Sequence, residues 1–207
     1  MKSYPSIEKQ IRRGIQIYAF DKLDGSNVRA EWTPKRGFHK FGRRNGLLDD
    51  SSPLLSREVP GLILEKYGDA LCRLFRAQRW QEAVAFFEFH GEHSFAGNHV
   101  ESEPHTVTLF DIDVYKKGLM EPRDFIKLCE GQVEIPRVLH HGIVTDEFLA
   151  AVHDSTLEGM TFEGVVCKGA FDRKTGRPLM FKVKSQAWLG RLRDFCKGDE
   201  RLFEMLA

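Results

Sequence analysis

The chain has 207 residues, 42% hydrophobic and 29% charged, enough to bury one sizeable core, which predicts a single domain over 1–207. No run approaches the roughly 20 apolar residues of a membrane span, and Met1 to Arg13 lacks a secretory apolar segment, so no membrane partner and a cytoplasmic address are expected. A net charge of +1 excludes a whole-molecule pull on nucleic acid, and Cys72, Cys129, Cys167 and Cys196, with no CxxC pair, argue against a zinc ribbon or a disulfide framework.

Apolar runs of strand length fall at Ile15 to Phe20, Val28 to Trp32, Ala83 to Phe89, Val107 to Val114, Gly164 to Lys168 and Leu179 to Val183. A helix is predicted from about Gly61 to Gln78, where Ile63, Tyr67, Leu71, Leu74 and Gln78 follow helical spacing with Leu74 one residue short. Further helices are predicted at Pro122 to Cys129, after Glu121, at Asp146 to His153, capped by Thr145, and from Ser185 toward the C-terminus. Strands paired across turns such as Lys174-Thr175-Gly176, without a regular strand-helix-strand alternation, favour an α+β fold with largely antiparallel sheets flanked by helices.

Two basic clusters stand out. Lys35 to Arg44 interleaves cations with Phe38 and Phe41, and Lys168 to Lys184 gathers Lys168, Arg173, Lys174, Arg177, Lys182 and Lys184 in one hairpin. A solvated surface accounts for either cluster taken alone. His90 and His93, near Glu88 and Glu92, have no third ligand at a recognised zinc spacing, and His140-His141 reads as a loop or strand end.

The sharpest local feature is Lys22-Leu23-Asp24-Gly25-Ser26-Asn27, a lysine on the turn between two strands. Alone it is weak, since an Asp-Gly hairpin turn behind a solvated lysine has the same sequence. Four later elements give it weight: Arg44-Asn45-Gly46, Glu88-Phe89-His90-Gly91, Leu109-Phe110-Asp111-Ile112, and the pair Phe162-Glu163-Gly164-Val165-Val166 and Phe181-Lys182-Val183-Lys184. In this order, from about residue 20 to 185, the set resembles the nucleotide-binding domain of the RNA ligase 2 type family, within the covalent nucleotidyltransferases that include polynucleotide ligases and capping enzymes.

That resemblance implies the nucleotidyltransferase (ATP-grasp-like) fold of polynucleotide ligases and an ATP-dependent RNA ligase acting through lysyl-AMP. Lys22 would be the nucleophile, Lys182 and Lys184 would neutralise the α-phosphate, and Glu163 would act near a Mg2+ or Mn2+ ion as its ligand. Asp21, Asn27, Arg44, Glu88 and Phe110 would bind the nucleotide, Glu88 at the ribose hydroxyls and Phe110 against adenine, with Arg43 the alternative to Arg44. Asn27 stands where DNA ligases and capping enzymes carry arginine, which favours RNA, while Asp21 stands where the family often has glutamate. After Lys184 only 185–207 follow, too few for an OB-type or accessory domain, so an accessory protein is expected to help capture RNA ends or a nicked duplex. The alternatives are a minimal DNA ligase, a GTP-dependent capping guanylyltransferase, and a non-catalytic RNA end-binding module.

The residue chemistry agrees. An amine attacks phosphorus only when neutral, and neutralising a lysine of reference pKa about 10.4 at pH 7 costs roughly 4 to 5 kcal/mol without help from its surroundings. Lys182 and Lys184, two apart on a strand, point to one face and would help by adding positive charge. Glu88 and Glu163 sit in apolar strand stretches where an unpaired carboxylate would cost several kcal/mol, so each requires a partner.

Overall fold

The computed structural model describes residues 1–8, 10–92, 103–172, 176 and 178–207. The chain divides into two compact units. The predicted turn at Lys174-Thr175, the cations Arg173 and Arg177, and His93 lie outside the described residues. No helix among those described is long and apolar enough to cross a membrane.

One unit comprises Met1–Ser6, Gly25–Glu92 and, from the described residues, 103–135. Its sheet contains β2 (Ser26–Thr33), β3 (Gly37–Arg43), β4 (Gly46–Leu47), β5 (Ala83–His90), β6 (Thr106–Val114) and β7 (Gly118–Leu119), in the order β4-β3-β2-β5-β6-β7. Every pairing in it is antiparallel. Period-two alternation sends Val28, Ala30 and Trp32, with Ala85 and Phe87, into the core, and a register shift opposite Phe86 and Phe87 brings both Leu109 and Ile112 of β6 to them. The helices here are α1 (Pro53–Ile63), a π-turn at Leu64–Gly68, α2 (Asp69–Ala77) and α3 (Pro122–Cys129).

The long helical run begins at Pro53, earlier than the sequence pattern indicates, because Pro53 takes the first helical position, where its missing N–H costs nothing. Its buried side chains are Val59, Ile63, Tyr67, Leu71 and Phe75; Leu74 is only partly buried and Gln78 is the exposed C-cap. A strict four-residue step overruns the 3.6-residue turn of an α-helix. The π-turn, with more residues per turn, supplies the local unwinding that keeps Tyr67 and Leu71 on the buried side.

The second unit comprises Ile7–Asp24 and Pro136–Ala207 among its described segments. Its sheet has the order β10-β9-β1-β8, with β1 (Gln16–Asp21), β8 (Val138–Ile143), β9 (Gly164–Lys168) and β10 (Met180–Lys184), all antiparallel. Ile17, Ala19, Val165, Cys167, Phe181 and Val183 pack on one side against Phe148, Leu149 and Val152 of α4 (Asp146–His153). The last helix expected from the sequence is two, α5 (Gln186–Cys196) and α6 (Glu200–Leu206). Left-handed backbone at Lys197 and Gly198 breaks the run, and the Asp199 carboxylate caps the new start by accepting from the Leu202 amide. His140-His141, read as a loop or strand end, belongs to the edge strand β8.

Candidate active site

In the four-stranded sheet, alternation puts Ile17, Ala19 and Asp21 on the side of α4 and leaves Gln16, Tyr18 and Phe20 on the other. Lys22 follows β1 directly, and its backbone N–H extends the ladder by donating to the Gly164 carbonyl at 2.9 Å. Cross-strand register continues this face over Val166 and Lys168 of β9 and Lys182 and Lys184 of β10. Three stretches far apart in sequence therefore present lysines on one surface.

Glu163 is the anion among them. It is 3% exposed, and its Oε2 accepts from Lys22 Nζ at 2.7 Å while Oε1 lies 3.3 Å from Lys184 Nζ. The partner that burial of this carboxylate demands is thus a pair of ammonium groups. Its main chain is fixed as well: Ser185 N–H donates to the Glu163 carbonyl at 3.0 Å, and Ser185 Oγ donates to the Phe162 carbonyl at 2.7 Å while capping α5. Lys182 Nζ donates to the main-chain carbonyl of Ala207 at 2.6 Å and Lys184 Nζ to that of Leu206 at 3.0 Å, so carbonyl oxygens at the end of α6 meet both amines. The Lys184 ammonium also stands 3.6 Å over the Trp188 ring.

Burial brings the Lys184 ammonium down to a pKa of about 8; Glu163 opposes the shift, and Lys182 and Lys22 add to it. Between about pH 8 and the ordinary 10.5, the unfolded chain holds a proton on Lys184 that the folded chain does not. Stability contributed through this group therefore rises with pH across that window, and its charged form costs most below about pH 8. A Lys184→Met variant is expected to gain most in melting temperature over the parent at pH 7, with the gain shrinking as pH climbs through the window. A gain independent of pH would contradict this assignment.

Asp21, expected at the nucleotide, is a buried clip. Its Oδ1 accepts from the amide and hydroxyl of Thr161 at 3.0 and 3.1 Å, and its Oδ2 from Arg137 at 3.4 Å. It fixes the segment leading into Glu163 to the strand leading into Lys22.

The remaining candidates belong to the six-stranded sheet. Asn27 pairs with Glu88, which pairs with Thr108. The last pair of β2 and β3 is Val28 with Arg43, and Arg44 follows in the turn before β4, where its carbonyl accepts from Arg29 at 3.4 Å. Arg43 takes the side of the core residue Val28 and donates to Ser51 Oγ at 2.8 Å. Asn27 Oδ1 is buried and accepts no hydrogen bond from the described residues, leaving this row an open acceptor. Phe110 is partly exposed and meets Tyr4 edge-on, with ring centroids 5.0 Å apart. Gly25 of the Lys22 motif has a steric reason: a Cβ there would strike the Phe89 carbonyl oxygen.

Several polar residues on this face escaped the motif reading. Arg29 and Glu31 alternate with the core residues of β2, Asp111 and Asp113 lie on β6, and each is buried. Tyr4 donates to Asp111 at 2.9 Å, Lys2 pairs with Asp113 at 2.6 Å, and Lys40 with Glu31 at 2.7 Å. Burial, then Asp111, raises the Tyr4 phenol well above its usual range, so Tyr4 is a neutral donor. The signal was present in the polar-apolar alternation of Ser26 to Thr33 and of Thr106 to Val114, read only for its apolar half. His90 Nε2 is bound to Thr108 Oγ1 at 2.9 Å, and no group of three metal-ligating side chains occurs among the described residues.

No protein-family profile matches the chain, and no curated protein matches it. Solved structures do. An archaeal ATP-dependent RNA ligase superposes with a TM-score of 0.66 at 16% identity, covering 95% of this chain and 52% of that one. A Naegleria gruberi RNA ligase solved with PPi gives 0.62 at 18% identity over 88% of this chain and 53% of that one. A variant of the Naegleria enzyme with ATP and Mn gives 0.61 at 17% over 86% and 52%. The chain thus has the α+β fold of these RNA ligases and spans about half their length.

Proposed function

We propose that the protein is an ATP-dependent RNA ligase that forms a covalent lysyl-AMP intermediate on Lys22. The observation that carries this reading is the buried Glu163 carboxylate shared by Lys22 at 2.7 Å and Lys184 at 3.3 Å, on a face that also bears Lys182. An ordinary surface lysine has no such surroundings.

In the proposed cycle Lys22 Nζ leaves its ion pair, loses a proton and attacks the α-phosphorus of ATP. The new N–P bond forms as the bond to pyrophosphate breaks. A 5′-phosphate oxygen then takes the AMP from the amine, and a 3′-hydroxyl displaces AMP to seal the strand. Lys182 and Lys184 exchange the Leu206 and Ala207 carbonyls for phosphate oxygens, where fixed cations offset the charge that gathers during transfer. The motif order assigns Glu88 to the ribose, Arg44 to ribose oxygens or the acceptor 5′-phosphate, and Phe110 to the adenine. A guanidinium fork suits the Arg44 task better than an ammonium would.

For magnesium, Glu163 is a carboxylate beside these amines, and both of its oxygens face ammonium groups. That donor set fits an ion held mostly by water and nucleotide phosphates, with Glu163 as its protein ligand. Such an ion would supply charge neutralisation at the phosphates. The likeness to structures solved with ATP and Mn supports this choice of donor and metal class.

Labelled ATP with magnesium is expected to leave AMP on the protein through denaturation, labelled GTP to leave none, and Lys22→Ala to retain none. Label persisting in Lys22→Ala would overturn the proposal. A non-catalytic end-binding module would bind RNA and never take up label.

A further inference from the structure

The lysine-bearing face of the four-stranded sheet is buried at Phe20 and Lys168 and becomes exposed toward the edge strand β8. Toward the start of β1 it passes Phe20, Tyr18 and Gln16, the residues that alternate with the core positions Ile17 and Ala19. On the edge strand β8 the register sets His141 opposite Tyr18 and Ile143 opposite Gln16. The Tyr18 and His141 rings lie face to face, 4.0 Å between centroids and 8° from parallel. Gln16 Nε2 shares a 3.2 Å hydrogen bond with His141 Nε2, which fixes the imidazole plane. His141 is exposed, and Ile143 beside it is 53% exposed.

The two stacked rings cover each other's inner faces, so the flat face left open belongs to the exposed His141 on the edge strand, with Tyr18 backing it. The charged strand residues on the same face are lysines, with the Glu163 carboxylate between Lys22 and Lys184 at its far end. Lys168, opposite Tyr18 on β9, is 5% exposed and stands 5.0 Å from the Phe20 ring, and the partly buried Lys182 and Lys184 follow on β10. Among the described strand residues that share this face with Tyr18, none is a carboxylate, since Asp21 points to the other side. At about 3.3 Å per residue, Tyr18 is about 13 Å along the strand from Lys22.

A flat aromatic surface in a row of lysines suits a ligand with alternating π-faces and negative charges, which describes single-stranded nucleic acid. We propose that the Tyr18–His141 pair is a stacking platform for a nucleobase of the polynucleotide substrate near its reacting 5′ end. This rests on the ligase reading for its substrate and orientation, and it deepens that reading by assigning a strand-binding element that the motif set does not contain. Every base has a π-face, so the platform gives affinity and position without sequence preference.

The test uses the full chain and a 5′-phosphorylated single-stranded RNA oligonucleotide at low salt, with affinity read by fluorescence anisotropy. Tyr18→Ala and His141→Ala are each expected to weaken binding about tenfold, while Tyr18→Phe, which keeps the ring, retains parental affinity. Melting temperatures of all three variants separate loss of the platform from loss of the fold. RNA affinity of Tyr18→Ala within twofold of the parent, in a folded variant, would overturn the proposal, as would a parent protein that does not bind the oligonucleotide. The label on Lys22 is scored in parallel: label without an effect at Tyr18 removes the platform alone, and an effect at Tyr18 without label leaves the platform standing and removes the ligase reading.

Discussion

Replacing Glu163 by glutamine is expected to slow the appearance of AMP on the protein by about 10²- to 10³-fold, the range set by removing one preorganised charged group from a reacting centre. The shape of the side chain is nearly kept, so the loss is one of charge. Lys22 and Lys184 both face this carboxylate, at 2.7 and 3.3 Å. Without it the two ammonium groups repel, Lys22 loses the contact that aims it, and the anion opposing the downward shift of Lys184 is gone. Rapid-quench measurement of label uptake gives the rate, and a thermal melt of the same variant confirms the fold. Parental rates in a folded Glu163→Gln protein would contradict the role assigned to this residue.

Gly164→Ala is expected to be at least as damaging, through geometry. Gly164 has φ of +136°, a region that L-residues with a Cβ rarely occupy, and a Cβ there would run into the Val183 carbonyl oxygen. Backbone strain of this kind costs about 1–3 kcal/mol, and the collision adds to it, because the obstacle is a main-chain atom of the paired strand β10. The same glycine carbonyl receives the Lys22 N–H at 2.9 Å, and the glycine follows Glu163 in the chain. Any shift that relieves the collision displaces nucleophile and carboxylate together. Denaturant titration of Gly164→Ala should show a loss of about 2 kcal/mol or more, with AMP uptake falling alongside. A variant as stable and as active as the parent would refute the steric reasoning.

The parts of the fold legible in the sequence were those whose burial and period agree. β5 is a nearly continuous apolar run and β6 an alternating one, each found to within one residue, and α3 and α4 carry Pro122 and Thr145 at their starts and match the expected bounds residue for residue. β3 was hidden because it runs through Lys35 to Arg44, where charge suggested a surface cluster; Phe38 and Phe41 were the inward positions of a strand with one wet side. β8 was hidden because an edge strand needs little apolar content, and none of its residues is fully buried. In the long helix, periodicity found the element but chose Leu74 over Phe75, since a regular four-residue step is not an ordinary α-helical pattern and the π-turn that permits it leaves no local signature.

The site follows the same division. Lys22, Glu163, Lys182 and Lys184 were named from motif order, and the ladder of β1, β9 and β10 brings them to one face. Asp21 looked like a nucleotide ligand because it precedes the lysine, but alternation turns it inward, where Thr161 and Arg137 hold it. The register of β2 with β3 ends at Val28 with Arg43, and Arg44 stands in the turn that follows. Tyr4, Arg29, Glu31, Asp111 and Asp113 each sit among residues that look ordinary one at a time, and only the pairing of three strands gathers them.

The chemistry proposed here comes down to which nitrogen carries the nucleotide. Peptide mass spectrometry of the protein after incubation with ATP and magnesium should find AMP on the peptide containing Lys22, with fragment ions assigning it to that side chain. AMP on Lys182 or Lys184 instead, or no adduct under conditions where the protein is folded and ATP is bound, would contradict it.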